Sequence, residues 1–142
     1  MKKSLKIIAA MAALVMTAVS CGIVSFTGRR QILLFSDSEI ASLSDQSYTE
    51  FMSTATISSN TGATQKVREV GSRMVSALES YMKTHNQSST LSGLTWEFQL
   101  VNSTEVNAFC MPNGKIVFYE GILNYADTPD YIAVVMGHEM AH

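Results

Sequence analysis

The spacing of apolar residues in the first half of the chain predicts two helices. Ser36 with Glu39 three positions later forms a capping box, in which each side chain satisfies a free amide at a helix start. Residues at near-helical spacing then continue to about Ser53, namely Ile40, Leu43, Ser47, Phe51 and Met52. After a polar loop at 57–63, a stronger apolar stripe predicts a second helix and its core face. The members of this stripe are Val67, Val70, Gly71, Met74, Leu78, Tyr81 and Met82.

Farther along the chain the apolar period changes from helical to two, which predicts strands. Trp96, Phe98 and Leu100 alternate with polar residues, as in a half-buried strand. Two more short strands are predicted at 106–111 and 115–119, because Pro-Asn-Gly between them has the residue types of a tight turn. This part of the chain therefore predicts a small sheet.

The last segment of the chain has the signals of a third helix. A short helical stretch is predicted at 120–125. Thr128 then suits an N-cap and Pro129 the first helical position, with acidic residues in the first turn. The positions expected to face the core are Ile132, Val135 and Met136. Together the elements predict an α+β fold: two helices, a small mostly antiparallel sheet, and a final helix packed on it.

The first 20 residues read as an export signal. Three lysines within the first six residues precede an uncharged apolar run at 7–19, which is shorter than the roughly 20 residues of a membrane span. The run leads into Ala18-Val19-Ser20-Cys21-Gly22, which is similar to a bacterial lipobox, although Ala18 stands where Leu is usual. Cleavage after Ser20 without lipid and an uncleaved anchor are the alternatives. We expect a signal peptide at 1–20, a tether lipid-anchored through Cys21 at 21–35, and a domain at 36–142.

Composition narrows the class of protein. The 142 residues are 46% hydrophobic and 15% charged, which suits one modest globular domain. Without the three signal lysines, seven Lys and Arg remain against twelve Asp and Glu, so a nucleic-acid partner is not expected. If Cys21 carries lipid, Cys110 has no partner and the domain has no disulfide.

Residues 137–142, GHEMAH, contain an HExxH motif. Residues four apart share a helix face, so His138 and His142 can direct imidazole nitrogens at one zinc ion, about 2 Å from each. In such sites the glutamate, here Glu139, takes a proton from the water in the open zinc position and passes it to the leaving amine. The alternative is a chance match with surface or core histidines. The apolar run at 131–137 favours a buried helix, in which these polar groups are destabilising unless paired or metal-bound.

Three stretches of the sequence carry a family resemblance. Residues 27–32 (TGRRQI) are similar to an N-terminal TGRxQL signature, and residues 107–116 (NAFCMPNGKI) are similar to a NAFxxPxGxI hairpin. Residues 130–142 match a zinc helix in motif and flanks. In this order and spacing they resemble the gluzincin metallopeptidases, the family that includes the HtpX-type membrane peptidases and the CAAX prenyl protease. The resemblance is strongest to the periplasmic lipoprotein branch.

The resemblance implies a zincin-like fold and one Zn²⁺ per domain. His138 and His142 would be zinc ligands and Glu139 the catalytic base. An extended polypeptide substrate would lie along the strand edge formed by Asn107, Ala108 and Phe109. The substrates would be unfolded or damaged envelope proteins. The protein would be lipid-anchored on the periplasmic side of a bacterial membrane, expected to be the outer membrane.

The family also supplies a third ligand, a Glu on a helix well downstream of the second His, and no residue follows His142 in the chain. We therefore expect the N-terminal part of a longer zinc metalloendopeptidase, inactive as written, because a catalytic zinc normally has three protein ligands. Cys110 is expected to be a small buried hydrophobe, not a thiolate that blocks zinc. The alternative function is a non-catalytic lipoprotein that uses the same strand edge as a binding or chaperone-like module.

Overall fold

The computed structural model describes residues 20–23, 30–33 and 35–141, with only the backbone for the first two segments. Contacts divide the chain into two units, residues 1–37 and 38–142. In the first unit, strands β1 (Ser20–Ile23) and β2 (Arg30–Leu33) pair antiparallel, although only a tether was predicted there. Each strand has only four residues, which is too short for periodicity to identify. The backbone of Cys21 lies in β1, and residues 1–19 of the predicted signal lie outside the described residues.

The second unit contains the three predicted helices and three predicted strands. They are α1 (Asp37–Thr54), α2 (Thr61–Thr84), β3 (Glu97–Val101), β4 (Ala108–Cys110), β5 (Lys115–Tyr119) and α3 (Pro129–Met140). Two short 3-10 helices, Ser88–Leu91 and Glu120–Asn124, precede β3 and follow β5. Every predicted element is present, and β4 is shorter than the predicted 106–111 strand. Among the described residues, no helix is long and apolar enough to span a membrane.

The sheet of the second unit is mixed. Its strand order is β3-β5-β4, with β5 parallel to β3 and antiparallel to β4. The chain leaves β3 at one edge, crosses to the opposite edge for β4, and returns through a tight turn into the central position as β5. The α+β class is therefore confirmed, whereas the antiparallel expectation holds only for the β4–β5 hairpin. The period of a strand defines its buried face and does not encode its partner, which explains the difference.

Helices cover both faces of this sheet. On one face, β3, β4 and β5 contribute Phe98, Leu100, Ala108, Ile116 and Phe118 to a core shared with α2 and α3. On the other face, a smaller core around Tyr48, Val101 and Val117 lies under α1. Because successive side chains of a strand point to opposite faces, each strand contributes to both cores.

The predicted core stripe of α2 is largely confirmed. Val67, Val70 and Met82 are buried, and an added Cβ at Gly71 would lie 2.5 Å from the Phe98 ring, so glycine lets α2 approach β3 closely. Tyr81 was placed on the same face, yet it is 51% exposed and stacks on His85 with ring centroids 4.0 Å apart. Met82, the next residue, is the one that turns into the core at this end of the helix.

Candidate active site

The helix that carries the motif begins as its sequence predicts. The Thr128 side chain accepts a hydrogen bond from the Tyr131 amide, and Pro129 occupies the first turn. Ile132 and Met136 are fully buried against the core.

The expectation of a buried helix is wrong for the opposite face of α3. Tyr131 is 58% exposed and Val134 71% exposed. Only the face that meets α2 and β4 lies in the core, because α3 is an outer layer over the sheet.

The motif residues occupy different environments at the end of α3. His138 is exposed and Glu139 is half-buried, whereas His142 lies outside the described residues. The described part of the chain contains no group of three or more His, Cys, Asp and Glu side chains placed to hold a metal ion. In the described part of this helix, His138 supplies one imidazole nitrogen. A catalytic zinc normally has three protein ligands, so the described residues alone do not form a complete zinc site.

The α3 helix packs against β4, which brings the motif next to the hairpin. Burial, and next the negative charge of Glu139, raise the pKa of the Cys110 thiol to about 11. The charge of Glu139 thus acts on a side chain of β4, in keeping with the packing of α3 on that strand. Cys110 is half-buried and packs beside the main core, as expected for a small hydrophobic side chain.

The outer edge of β4 is open. Asn107 O accepts from Tyr119 N at 3.1 Å, and Met111 N donates to Lys115 O at 2.8 Å. In an antiparallel ladder alternate residues face the partner strand, so the backbone groups of Ala108 and Cys110 point away from β5. Among the described residues, no strand pairs with β4 on that side.

The three predicted substrate-binding residues have separate places at this edge. The Asn107 side chain is exposed, and Ala108 is buried against the main core. The Phe109 ring lies on the α1 face of the sheet, with its centroid 5.2 Å from that of Phe51 in an edge-to-face arrangement. The structure thus places the Ala108 and Cys110 side chains on the face of the sheet that carries α3, and the Phe109 side chain on the opposite face.

A tight turn fixes the hairpin that contains β4. Gly114 has φ +88°, a left-handed conformation that glycine adopts without strain, as the Pro-Asn-Gly sequence predicts. Gly114 N donates to Met111 O at 2.9 Å across the turn. Asn113 is buried, and it hydrogen-bonds to Ser44 Oγ at 2.8 Å and to Asp45 Oδ1 at 2.5 Å.

Sequence reasoning missed a polar cluster on the α1 face of the sheet. Tyr48 OH donates to Glu97 Oε1 at 2.7 Å, and Lys115 Nζ lies 3.2 Å from Glu97 Oε2. Burial and the Glu97 bond raise the pKa of Tyr48, so its phenol is a neutral donor. The signal was present, because Glu97 and Lys115 occupy strand positions that alternate with core residues.

His138 and Glu139 lie in the last turn of a helix that packs on an open-edged strand, and in metallopeptidases an HExxH motif lies on a helix. Residues 63–142 match the model of Peptidase family M48, and the chain belongs to this family. The resemblance to gluzincin metallopeptidases is therefore confirmed at the level of the family, and the α+β fold is consistent with a zincin-like one.

Known relatives of the chain carry protease names. It is 47% identical over 60 residues to the mitochondrial metalloendopeptidase OMA1 of Arabidopsis thaliana, covering 42% of this chain and 12% of that protein. It is 28% identical over 119 residues to OMA1 of Danio rerio, covering 82% and 23% respectively. It is 33% identical over 79 residues to the beta-barrel assembly-enhancing protease of Escherichia coli K12, covering 56% and 14%. The matches thus span less than a quarter of each of these relatives.

Proposed function

We propose that the chain supplies the general base and the substrate-binding edge of a zinc metalloendopeptidase. The observation that carries this proposal is the packing of α3, the helix that contains Glu139, against an edge strand with outward-facing backbone groups. An extended polypeptide can pair with the amides and carbonyls of Ala108 and Cys110, as in β-strand addition. Its peptide bonds would then pass close to Glu139.

In this proposal His138 and His142 hold the zinc, together with a ligand from outside the described residues. Bound zinc would polarise the peptide carbonyl and lower the pKa of the attacking water. Glu139 accepts the proton of that water and later gives it to the leaving amine. Its half-buried position suits this role, because a carboxylate there stays reachable by water while its orientation is limited by packing.

The substitution Glu139→Gln tests the general base, because it preserves shape and removes the proton acceptor. We expect the full-length, zinc-loaded protein to lose at least about a hundredfold in kcat for cleavage of an unfolded polypeptide, with binding of that polypeptide unchanged. Glu79→Gln, an exposed change on α2, is the matched control and should cleave normally. Full cleavage by the Glu139→Gln protein would show that the mechanism is wrong.

The alternative is a binding or chaperone-like module. It is favoured by the open edge of β4, which can pair with an extended polypeptide whether or not a metal is bound. The same experiment separates the two functions: a module binds the polypeptide with or without zinc and never cleaves it.

We further propose that the protein is lipid-anchored through Cys21 in a bacterial envelope and acts on damaged envelope proteins. The lipobox-like sequence supports the anchor, and the name of the E. coli relative, a beta-barrel assembly-enhancing protease, supports an envelope substrate. Radiolabelled palmitate tests the anchor in bacterial cells that express the protein. Label should enter the wild-type protein and be absent after Cys21→Ser. Equal labelling of both would contradict lipidation at this cysteine.

A further inference from the structure

The α1 helix contacts the β4–β5 hairpin at its turn and near its open end. At the turn, Ser44 and Asp45 hydrogen-bond to Asn113. At the other end of the hairpin, the Phe51 ring packs edge-to-face on Phe109.

The middle of α1 is held to both neighbouring strands by the polar cluster. Tyr48 bonds to Glu97 on β3, which pairs with Lys115 on β5. Lys115 Nζ also lies 5.8 Å from the centroid of the Tyr48 ring. The contacts of α1 therefore fix its position relative to the sheet from the turn to the open end of the hairpin.

The Phe51 contact acts on the residue between the two outward-facing positions of β4. Phe109 is the middle residue of this three-residue strand, between Ala108 and Cys110. Its ring centroid lies 5.2 Å from that of Phe51 and 6.2 Å from that of Tyr119. The centroids of Phe51 and Tyr119 are 6.3 Å apart. Since the backbone of a short edge strand moves with its anchored side chain, this aromatic cluster sets where the outward amides and carbonyls stand.

The α1 helix also lies outside the part of the chain that matches the family. The match covers residues 63–142, which include the hairpin and α3, whereas α1 ends at Thr54. An element outside the matched region thus supports the strand on which the proposed peptide would lie.

We propose that Phe51 is a positioning residue for the polypeptide substrate, acting through Phe109 and never touching the substrate. The inference rests on the proposed function of the β4 edge. Phe51 holds β4 at the distance and tilt at which the backbone groups of Ala108 and Cys110 can pair with an extended chain. Loss of the aromatic contact lets β4 shift, which weakens peptide binding and leaves proton transfer at Glu139 intact.

The test compares Phe51→Leu, Phe51→Tyr and Leu43→Ala in the full-length, zinc-loaded protein. Phe51→Leu keeps an apolar side chain and removes the ring, so the domain should fold. Phe51→Tyr keeps an aromatic ring at this position. Leu43 lies on the same helix, is 53% exposed, and serves as the control. The probe is fluorescein-labelled, reduced and carboxymethylated α-lactalbumin, which is permanently unfolded.

Phe51→Leu should raise KM by about three- to tenfold, the range expected from losing one aromatic pair, with kcat within twofold. Phe51→Tyr and Leu43→Ala should keep the wild-type KM. A residue that only stabilised the fold would lower the active fraction and hence kcat, while KM stayed constant. Hydrogen exchange gives a second readout: the amides of Phe109 and Met111, which face β5, should exchange faster in Phe51→Leu only.

Two results would overturn the inference separately from the proposed function. Normal KM in Phe51→Leu, with an active wild-type protein, would show that Phe51 does not position substrate. A fall in kcat alone would assign Phe51 a purely structural role. If the wild-type protein neither binds nor cleaves the probe, the proposed function fails and this inference fails with it.

Discussion

Glu97 joins three elements of the domain through one carboxylate. It accepts hydrogen bonds from Tyr48 on α1 and from Gln99 on its own strand, and it pairs with Lys115 on β5. Burial by itself would raise the pKa of Glu97, but the hydrogen bonds from Gln99, Tyr48 and Lys115 and the positive charge of Lys115 outweigh burial and lower it. A folded pKa below the unfolded one stabilises the domain above the ordinary glutamate range, and this stability is lost as the pH falls through the folded value.

Acid should therefore weaken the domain partly through Glu97. We expect Glu97→Gln to lower the free energy of unfolding at pH 7 by about 1 kcal/mol, because the side chain is 39% exposed and solvent screens its charge. The gap between wild type and variant should close as the pH falls below 4.5, the ordinary pKa of a glutamate. Urea unfolding across this pH range measures the gap. Glu50→Gln, an exposed change on α1, should give a far smaller gap, and an equal gap for both would refute the assignment.

The environment of Cys110 predicts that its thiol reacts slowly with alkylating agents. With its pKa raised to about 11 from 9.0, the thiolate population at pH 8 is about a hundredfold smaller than in the unfolded chain. Iodoacetamide should alkylate metal-free Cys21→Ser protein at pH 8 about a hundredfold more slowly than the same protein in urea. Mass spectrometry of the Cys110 peptide follows the reaction. A folded rate within threefold of the unfolded rate would contradict the burial described here.

At the scale of elements, the close approach of α2 to β3 depends on one missing side chain. Gly71→Ala would place a methyl group 2.5 Å from the Phe98 ring. We expect it to destabilise the domain by about 1–3 kcal/mol, more than the up to about 1 kcal/mol that Ala gains over Gly within a helix.

Gly62→Ala is the matched control, because the same change in the first turn of α2 meets only Asn60 Oδ1, at 3.8 Å. It should leave stability unchanged or raise it. Thermal unfolding of both variants measures the two changes in stability. Equal changes would mean that the packing of Gly71 on Phe98 is unimportant.

The elements were predictable to the extent that their information is local. The 3.6-residue stripe at Val67 and Val70, the alternation around Phe98, and the Thr128-Pro129 cap each define a segment and its buried face. The inward face of α1 was predicted less well, because Leu43 is exposed while the buried positions are Ser44 and Tyr48. Their polar atoms are satisfied by Asn113 and Glu97, and such long-range bonds leave no periodic signal.

The candidate site was predictable in its parts and not in its arrangement. The motif named Glu139 and the resemblance named the hairpin, whereas their proximity follows from α3 packing on β4. The outward direction of Ala108 and Cys110 depends on the β4–β5 register, which a sequence pattern does not specify. The role of His142 stays a prediction, because this residue lies outside the described residues.

At the scale of the whole domain, the two faces of the sheet serve different purposes. One face carries the apolar core and the motif helix, and the other carries α1 with its polar cluster. The β4–β5 hairpin is part of this sheet, so helices pack against it from both faces. A change on the α1 face can therefore act on the β4 edge without a change in the core that supports Glu139.

The two edges of the sheet also differ. Along β3, Ser58 N donates to Leu100 O at 3.0 Å, Asn102 N donates to Thr56 O at 2.7 Å, and Arg68 Nε donates to Phe98 O at 3.3 Å. A backbone bridge of Ile57 to Val101 completes this cover, so the described part of the sheet is closed on the β3 side and open on the β4 side.

A sheet with two open edges can add copies at both ends and grow into fibres. Because β3 is covered, edge-to-edge association of these domains stops at a dimer. Pairing of two β4 strands leaves neither domain with a free edge in this sheet. The strand proposed to bind substrate can thus keep a free edge without leading to open-ended polymerisation.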